Sequence, residues 1–123
     1  MNQHDRHINY IELPAGDMAA TQSFYRDVFG WKFTDYGPEY ASFSAAEAGV
    51  DGGFRSDGAV RPADTGSGVL VVLYATDLEA TQERVRSAGA RILKPIFSFP
   101  GGRRFHFTDP AGNELAVWSE GGT

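Results

Sequence analysis

The sequence predicts an α+β domain made of two tandem βαβββ modules that enclose a cleft. The main observation is an internal repeat, because D-M-A-A-T-Q-S-F-Y-R at 17–26 returns as D-L-E-A-T-Q-E-R-V-R at 77–86, with five identities at an offset of 60. Each copy also follows a strand-like run and precedes a glycine and a short apolar run. A chain of 123 residues that repeats at half its length indicates one domain built from two copies of a supersecondary unit.

The elements of the first module, expected at about 8–55, follow from periodicity and end signals. They are a strand at 8–14, a helix at 17–29 and strands at 31–36, 39–45 and 50–55. Strand alternation places Tyr10 and Glu12 on one face. Asp17 is the expected helix N-cap, and Gly30 the expected left-handed residue at its end. The adjacent Gly52 and Gly53 indicate either a β-bulge or a ligand close to the backbone.

The second module, expected at about 68–119, repeats this order after a turn-rich connection at 56–67. Its elements are a strand at 68–75, a helix at 77–88, a strand at 90–94 ending at Pro95, a strand or loop edge at 96–99, and strands at 103–108 and 114–119. Asp77 is the expected N-cap, and Gly89 closes the helix. D-P-A-G-N at 109–113 is expected to form a tight turn.

Composition excludes several classes of protein. The chain has no cysteine, so it has neither disulfides nor thiolate metal sites. Its formal net charge of −5 argues against nucleic acid as a partner. No apolar run approaches the roughly 18 residues that a membrane-spanning helix needs. The polar N-terminus has no signal-peptide pattern, so we expect a cytoplasmic protein.

Three stretches together resemble the vicinal oxygen chelate superfamily. They are S-F-Y-R-D-V-F-G-W at 23–31, the helix and glycine at 77–90, and F-H-F-T-D-P-A-G-N-E-L at 105–115. The resemblance covers residues 8–119, and the superfamily includes glyoxalase I, bleomycin-resistance proteins, fosfomycin-resistance proteins and extradiol dioxygenases. It implies the glyoxalase/bleomycin resistance/dioxygenase fold, but the superfamily contains both metalloenzymes and metal-free binding proteins.

The resemblance also implies where a divalent metal would bind, with ligands on the first and last strands of each module. Matched residue by residue, those positions fall at Tyr10 (or Asn9), Leu70 (or Val69), Ala116, and one of Asp51, Gly52 and Gly53. Leu70 and Ala116 have no donor atoms in their side chains, and a neutral Tyr10 is a poor ligand. We therefore expect no metal and no other cofactor.

The same strand parity predicts the residues that line the cleft. The candidate ligand-binding residues are Tyr10, Glu12, Leu70, Arg104, His106 and Glu114. Arg104 and His106 match positions where the fosfomycin-resistance relatives place pocket groups. Glu12 and His106 are the candidate bases, since an imidazole changes charge near neutral pH.

Each candidate also has a structural interpretation. A lone carboxylate in an apolar strand is costly unless it is paired, so Glu12 can equally form a salt bridge with Arg104. His106 can be a satisfied core histidine, and Tyr10 can serve in packing alone.

Two function hypotheses follow. The first is a glyoxalase/bleomycin-resistance-like protein that binds a small molecule in the cleft without the family metal. The second is an enzyme of the lyase or isomerase type, similar to lactoylglutathione lyase, that uses a divalent metal held by a non-standard ligand set. We also expect a homodimer, because members of this length commonly pair and the aromatic content of 13% is more than a small core readily hides.

Overall fold

Each half of the chain forms one four-stranded sheet. The computed structural model describes residues 5–56 and 69–120. The described residues divide into two compact units, one for each sheet. Most of the predicted connection at 56–67, together with Gly68, lies outside the described residues.

The first unit has the predicted order of strand, helix and three strands, with one short extra helix. Its elements are β1 (Ile11–Pro14), α1 (Met18–Phe29), β2 (Thr34–Asp35), β3 (Tyr40–Phe43), α2 (Ala45–Ala48) and β4 (Gly52–Arg55). The strand order is β1-β4-β3-β2, and β1 pairs with β4 in parallel. Asp17 Oδ1 accepts a hydrogen bond from the Ala20 amide at 3.0 Å, and Gly30 ends α1 with a φ of 75°. Both predicted caps of this helix are therefore confirmed.

The second unit repeats the same topology. Its elements are β5 (Val71–Tyr74), α3 (Leu78–Ser87), β6 (Arg91–Phe99), β7 (Gly102–Thr108) and β8 (Glu114–Glu120). The strand order is β5-β8-β7-β6, with β5 parallel to β8. Asp77 caps α3 in the same way as Asp17 caps α1, by accepting from the Ala80 amide at 3.0 Å. The prediction of two βαβββ modules is confirmed.

A helix packs on one face of each sheet, and different side chains fill the two cores. In the first unit, Tyr25 of α1 stacks on Trp31 at 4.8 Å and contacts Phe54 of β4 at 5.0 Å, both measured between ring centres. In the second unit α3 contacts β6, β7 and β8. The larger buried apolar residues there are Leu78, Val85, Phe105, Phe107, Leu115 and Val117. Because side chains alternate along a strand, Arg104, His106 and Ala116 lie on the opposite, helix-free face of this sheet.

All four strands of the first unit are shorter than predicted, and Ala45, at the end of the predicted strand at 39–45, begins α2 instead. β1 begins at Ile11 rather than at residue 8, because β4 begins at Gly52, opposite Ile11, and offers residues 8–10 no partner. In the predicted strand at 31–36 only Thr34 and Asp35 pair with β3, while Trp31 is buried against α1.

The Gly52-Gly53 pair does not form a β-bulge. Both glycines lie in an unbroken register with β1 and β3. A Cβ atom at Gly52 would collide with the carbonyl oxygen of Ile11, and one at Gly53 would lie 2.5 Å from the Tyr40 hydroxyl. The pair is explained by close approach of neighbouring groups.

Pro95 does not end a strand as predicted, because β6 runs continuously through it. β6 is an edge strand, and its register with β7 shifts on either side of Lys94, next to the proline. A proline is tolerated at an irregular position of an edge strand, since its missing N–H leaves no ladder bond unmade. Among the described residues, no helix is long and apolar enough to cross a membrane.

Candidate functional site

The first unit carries a hydrogen-bonded chain of polar side chains on the helix-free face of its sheet. The Tyr10 and Tyr40 hydroxyl oxygens lie 2.6 Å apart, and Tyr40 donates to Glu12 Oε2 at 3.0 Å. Because Tyr40 has a single hydroxyl proton, Tyr10 must be the donor to Tyr40. The Arg55 Nε atom lies 3.7 Å from the other oxygen of Glu12. The predicted placement of Tyr10 and Glu12 on one side of the strand is therefore confirmed.

The environment of Tyr40 strongly favours its neutral form. Burial, followed by the hydrogen bonds to Tyr10 and Glu12, raises the pKa of the Tyr40 hydroxyl well above its usual value. A phenolate here would lie beside a carboxylate and would lose its role as donor to Glu12. The chain of donors from Tyr10 to Tyr40 to Glu12 thus has a fixed direction, which leaves the lone pairs of Tyr10 as the acceptor at its outer end.

A cavity of about 490 Å³ adjoins this chain within the first unit. It is lined by Tyr10, Lys32, Phe33, Thr34, Tyr36, Ser42, Phe43, Ser44, Glu47 and Asp51. Its size lies in the range of small-molecule sites. Two of its acidic groups are already engaged, because Asp51 accepts from the Ala45 amide at 2.7 Å and Glu47 from the Ser44 hydroxyl at 2.8 Å.

The second unit carries an imidazole–carboxylate pair on the helix-free face of its sheet. His106 Nδ1 lies 2.9 Å from Glu114 Oε2, and the two side chains are 4% and 11% exposed. The carboxylate can only accept, so His106 Nδ1 carries a proton and donates to Glu114. Nε2 is buried without a hydrogen-bond partner among the described residues. An unsatisfied buried polar atom costs about 1–3 kcal/mol, which marks this nitrogen as a place where a partner is needed.

Arg104 lies two residues before His106 on the same face of β7 and is held by aromatic rings. Its guanidinium carbon is 5.6 Å from the centre of the Phe97 ring and 5.3 Å from that of Phe99. The Phe97 ring is also 5.8 Å from the ring of His106. Arg104 Nε, like His106 Nε2, is buried without a hydrogen-bond partner among the described residues. The predicted candidates Arg104, His106 and Glu114 therefore form one cluster around Phe97.

Glu12 and Leu70, two other predicted site residues, lie in different surroundings. Glu12 has partners in its own unit, Tyr40 and Arg55, and its predicted pairing with Arg104 stays a prediction. Leu70 lies just before β5, and Val72, two residues on, is 43% exposed. Tyr40 and Phe97 were not predicted. Strand parity alone could have placed Tyr40 beside Ser42, but only the packing of β3 against β4 brings its hydroxyl over Gly53.

The internal repeat identifies the fourth position at which the family would hold a metal. Glu12 and Val72 are related by the offset of 60; Glu12 pairs with Gly53, and Val72 pairs with Ala116. Gly53 is therefore the counterpart of Ala116 and the best match among Asp51, Gly52 and Gly53.

These residues do not fit a divalent metal. Leu70, Gly53 and Ala116 offer no donor side chain, and Tyr10 is already hydrogen-bonded to Tyr40. The Tyr40 hydroxyl also occupies the space into which a side chain at residue 53 would project. Within residues 5–56 and 69–120, no group of three or more His, Asp and Glu side chains is arranged to hold a metal ion.

Comparison with known proteins gives the family. A sequence profile for the Glyoxalase/Bleomycin resistance protein/Dioxygenase superfamily matches residues 7–117. The chain is 31% identical over 134 residues to the anthracycline biosynthesis protein DnrV of Streptomyces peucetius, an alignment that covers 91% of this chain and 46% of DnrV. It is also 31% identical over 129 residues to a glyoxylase-like domain-containing protein of Didymella fabae, with 94% of each chain covered.

Among solved structures, the fosfomycin resistance protein FosX from Listeria monocytogenes is similar with a TM-score of 0.77. That comparison covers 98% of this chain and 96% of FosX at 17% sequence identity, so the likeness concerns the fold alone. The chain spans about half the length of DnrV, at 46%. On the profile match and the 31% identity to two relatives, the chain belongs to the glyoxalase/bleomycin resistance protein/dioxygenase superfamily.

Proposed function

We propose that this chain is a glyoxalase/bleomycin-resistance-like protein that binds a small organic molecule without the family metal. The observation that carries the proposal is the replacement of the metal positions. Leu70, Gly53 and Ala116 have no donor side chain, and Tyr10, at the fourth position, is hydrogen-bonded to Tyr40, whose hydroxyl lies where a side chain at residue 53 would project. What remains on the helix-free faces is a set of hydrogen-bonding groups among aromatic and apolar walls, which is the usual composition of a small-molecule site.

The relatives support an organic molecule as the ligand. DnrV is an anthracycline biosynthesis protein, and anthracyclines are small organic compounds. The cavity of about 490 Å³ beside Tyr10 is large enough for a compound of ordinary metabolite size.

Metal analysis of protein purified without chelators tests the metal-free part of this proposal. We expect substoichiometric nickel, zinc, manganese and iron, and no change in melting temperature after dialysis against EDTA. One equivalent of any of these metals, lost together with stability on chelation, would contradict it.

A melting screen across metabolites and antibiotics tests the binding part. A ligand present at about a hundred times its Kd stabilises the folded state by about 2.7 kcal/mol, which a melt detects readily. Glu12→Gln and His106→Ala are expected to weaken the binding of a ligand found in this way while the fold stays intact. Glu39→Gln, which changes an exposed carboxylate outside the candidate site, is the matched control. Variants that melt several degrees lower yet bind normally would show that Glu12 and His106 are structural.

A lyase or isomerase activity is the second candidate, and the His106–Glu114 pair favours it. An imidazole whose Nδ1–H is held by a carboxylate presents Nε2 as a base, and Glu12 is the other carboxylate on a helix-free face. In this reading the enzyme resembles lactoylglutathione lyase and takes its divalent metal from a non-standard ligand set. Metal-dependent turnover of an aldehyde–thiol adduct that is lost in His106→Ala would favour it over simple binding.

We also propose that the chain forms a homodimer. Apolar side chains exposed on the sheet of the second unit support it, since Val72 is 43% exposed and Tyr74 is 50% exposed. The cytoplasmic location stays a prediction.

A further inference from the structure

A glutamine recurs at the same position of the internal repeat, and in both units its side chain reaches an edge strand of the sheet. Gln22 and Gln82 each lie five residues after the aspartate that caps their helix. Gln22 Nε2 donates to Asp35 Oδ1 of β2 at 2.8 Å, and Gln82 Oε1 accepts from the Ile96 amide of β6 at 3.1 Å. β2 and β6 are corresponding strands, since each ends the strand order of its sheet. Both glutamines therefore connect a helix to an edge strand.

The two hydrogen bonds differ because residue 95 is a proline. Pro95 is the counterpart of Asp35 at the offset of 60, and it has neither a polar side chain nor an amide proton. The next amide along the strand, that of Ile96, forms the bond to Gln82 instead. The partner determines which end of each glutamine is used, since a carboxylate requires the Nε2 donor of Gln22 and an amide requires the Oε1 acceptor of Gln82.

The Ile96 amide lies at an irregular point of its strand. The register of β6 with β7 shifts between Lys94 and Phe97, and this stretch contains Pro95 and Ile96. Residues at such an irregularity are not held by a regular hydrogen-bond ladder, so the ladder alone does not determine their position. The bond from the Ile96 amide to Gln82 of α3 supplies a restraint at this point.

Phe97 directly follows Ile96 and belongs to the polar cluster on the helix-free face of the sheet. The centre of its ring lies 5.8 Å from that of His106 and 5.6 Å from the guanidinium carbon of Arg104. Gln82 belongs to α3, which packs on the opposite face. The backbone that carries the Phe97 ring is therefore held from the helix side of the sheet.

We propose that the repeated glutamine clamps an edge strand to the helix in each unit, and that Gln82 is a positioning residue for the cluster of the second unit. By holding the Ile96 amide, Gln82 sets the point at which β6 resumes its register with β7. That register places the Phe97 ring beside His106 and Arg104. The role goes beyond the proposed function, because it does not depend on which molecule the protein binds.

One substitution, glutamine to glutamate, is expected to have opposite results in the two units. Glutamate keeps the shape and the oxygen acceptor of glutamine but has no donor at neutral pH. Gln82→Glu is therefore expected to keep the Ile96 bond and the parent midpoint of urea unfolding. Gln22→Glu places a second carboxylate against Asp35 and is expected to lower the midpoint, as Gln22→Leu does. Equal midpoints for the two glutamate variants would overturn the proposed clamps.

Hydrogen exchange at the Ile96 amide measures the Gln82 bond itself. In Gln82→Leu this amide loses its partner, so its exchange is expected to be roughly tenfold faster than in the parent, while Gln82→Glu is expected to restore the parent rate. Glu83→Leu is the matched control, because Glu83 is the next residue of α3 and bonds to Arg86 and Ser87 of the same helix. An equal acceleration in Glu83→Leu would show that α3 as a whole is responsible, and would overturn the assignment to Gln82.

The ring protons of His106 test the positioning role, since they lie close to the Phe97 ring and are shifted by its ring current. The chain has three histidines, and the His106 signals are those that are lost in His106→Gln. Phe97→Leu gives the chemical shifts that His106 has without the neighbouring ring. In Gln82→Leu the signals are expected to move toward those values, and in Gln82→Glu and Glu83→Leu they are expected to keep the parent positions.

This readout separates positioning from stability, because a less stable protein with the parent geometry keeps the parent chemical shifts in its folded state. His106 signals that stay at the parent positions in Gln82→Leu would overturn the positioning role, even if that variant unfolds at a lower urea concentration.

Discussion

Tyr40 is the residue that most changes the character of the first unit. Its hydroxyl accepts from Tyr10, donates to Glu12 and lies where a side chain at residue 53 would otherwise project. A position that the family resemblance assigns to a metal ligand is thus closed by a phenol. The polarity of this face is set by a hydrogen-bonded chain that carries at most one negative charge.

The alkaline titration of Tyr40 is the first prediction at this scale. Its pKa is raised above the ordinary value of 10.0, so above pH 10 the unfolded chain loses this proton before the folded chain does. Stability from this group is therefore fully present below pH 10 and falls as the pH rises further. In Tyr40→Phe we expect a smaller loss of melting temperature above pH 10, and the late part of the tyrosinate absorbance titration should be missing. Identical alkaline curves for the two proteins would contradict the raised pKa.

Gly53 gives a second prediction. A Cβ atom at this position would lie 2.5 Å from the Tyr40 hydroxyl and 2.8 Å from the Ala41 carbonyl oxygen. We expect Gly53→Ala to destabilise the protein by about 1–3 kcal/mol, as overpacking usually does, in urea unfolding. In the double variant Gly53→Ala, Tyr40→Ala the cost should be less than the sum of the single costs, because one collision is removed. Full additivity would show that the two residues do not meet.

At the scale of single elements, the repeated helices begin in the same way because the same residue type caps them. Asp17 and Asp77 each accept a hydrogen bond from the amide three residues later, at 3.0 Å in both units. The short helix α2 begins differently. Its amide at Ala45 is bound by Asp51, and Ser44 and Glu47 pair with each other. The S-A-A-E pattern at 44–47 has the residue types of a capping box, but the Ser44 side chain donates to Glu47 and makes no cap bond to the backbone.

The two caps allow the same prediction to be tested twice in one protein. We expect Asp17→Ala and Asp77→Ala each to lower the free energy of unfolding by about 1 kcal/mol, while the corresponding changes to Asn cost little. Asp27→Ala is the control, since Asp27 lies near the C-terminal end of α1 and caps nothing. Urea unfolding of the five variants measures the effect. A cost for Asp27→Ala as large as that for the caps would argue for net charge as the cause.

The ion pair between Glu79 of α3 and Arg103 of β7 is expected to make a pH-dependent contribution to the stability of the fold. The hydrogen bond from Arg103 lowers the pKa of Glu79 below its ordinary value of 4.5. The contribution is therefore present above pH 4.5 and is lost as the pH falls through the lowered value. We expect Glu79→Gln to have a lower melting temperature than the parent protein at pH 7. At about pH 2 the two melting temperatures should match, because the side chain of residue 79 is then neutral in both proteins. A difference that persists in acid would indicate a packing effect instead.

At the scale of the whole molecule, the two units share one topology but have different cores. Aromatic stacking of Tyr25, Trp31 and Phe54 holds the first unit, whereas the second buries mainly aliphatic residues and phenylalanine. The helix-free faces differ as well, with linked hydroxyls in one unit and an imidazole–carboxylate pair in the other. The two units thus share a backbone topology but carry different polar groups on their helix-free faces.

Assembly is the prediction that belongs to this scale. We expect a mass of twice 13.4 kDa by light scattering at micromolar concentration. Val72→Lys, on the exposed apolar part of the second sheet, should shift the mass toward the monomer, and Arg91→Glu, at the start of the edge strand, serves as the charge-changing control. A monomer mass for the unmodified chain would reject the homodimer.

The sequence by itself determined the elements whose signals are local. The offset of 60, the two aspartate caps and the glycine after α1 predicted two equivalent modules, because capping and periodicity act over a few residues. The family pattern likewise showed which positions lack metal donors. Alternation along a strand was enough to group Tyr10 with Glu12, and Arg104 with His106.

Only the tertiary structure decided which groups meet. The ends of β1 depend on where β4 offers a partner, and Pro95 is accepted because β6 is an edge strand. The Tyr40 hydroxyl reaches Glu12 across 28 positions of sequence, and no local signal specifies that contact. Likewise, His106 Nδ1 meets Glu114 because the register of β7 and β8 brings together two residues that are eight positions apart.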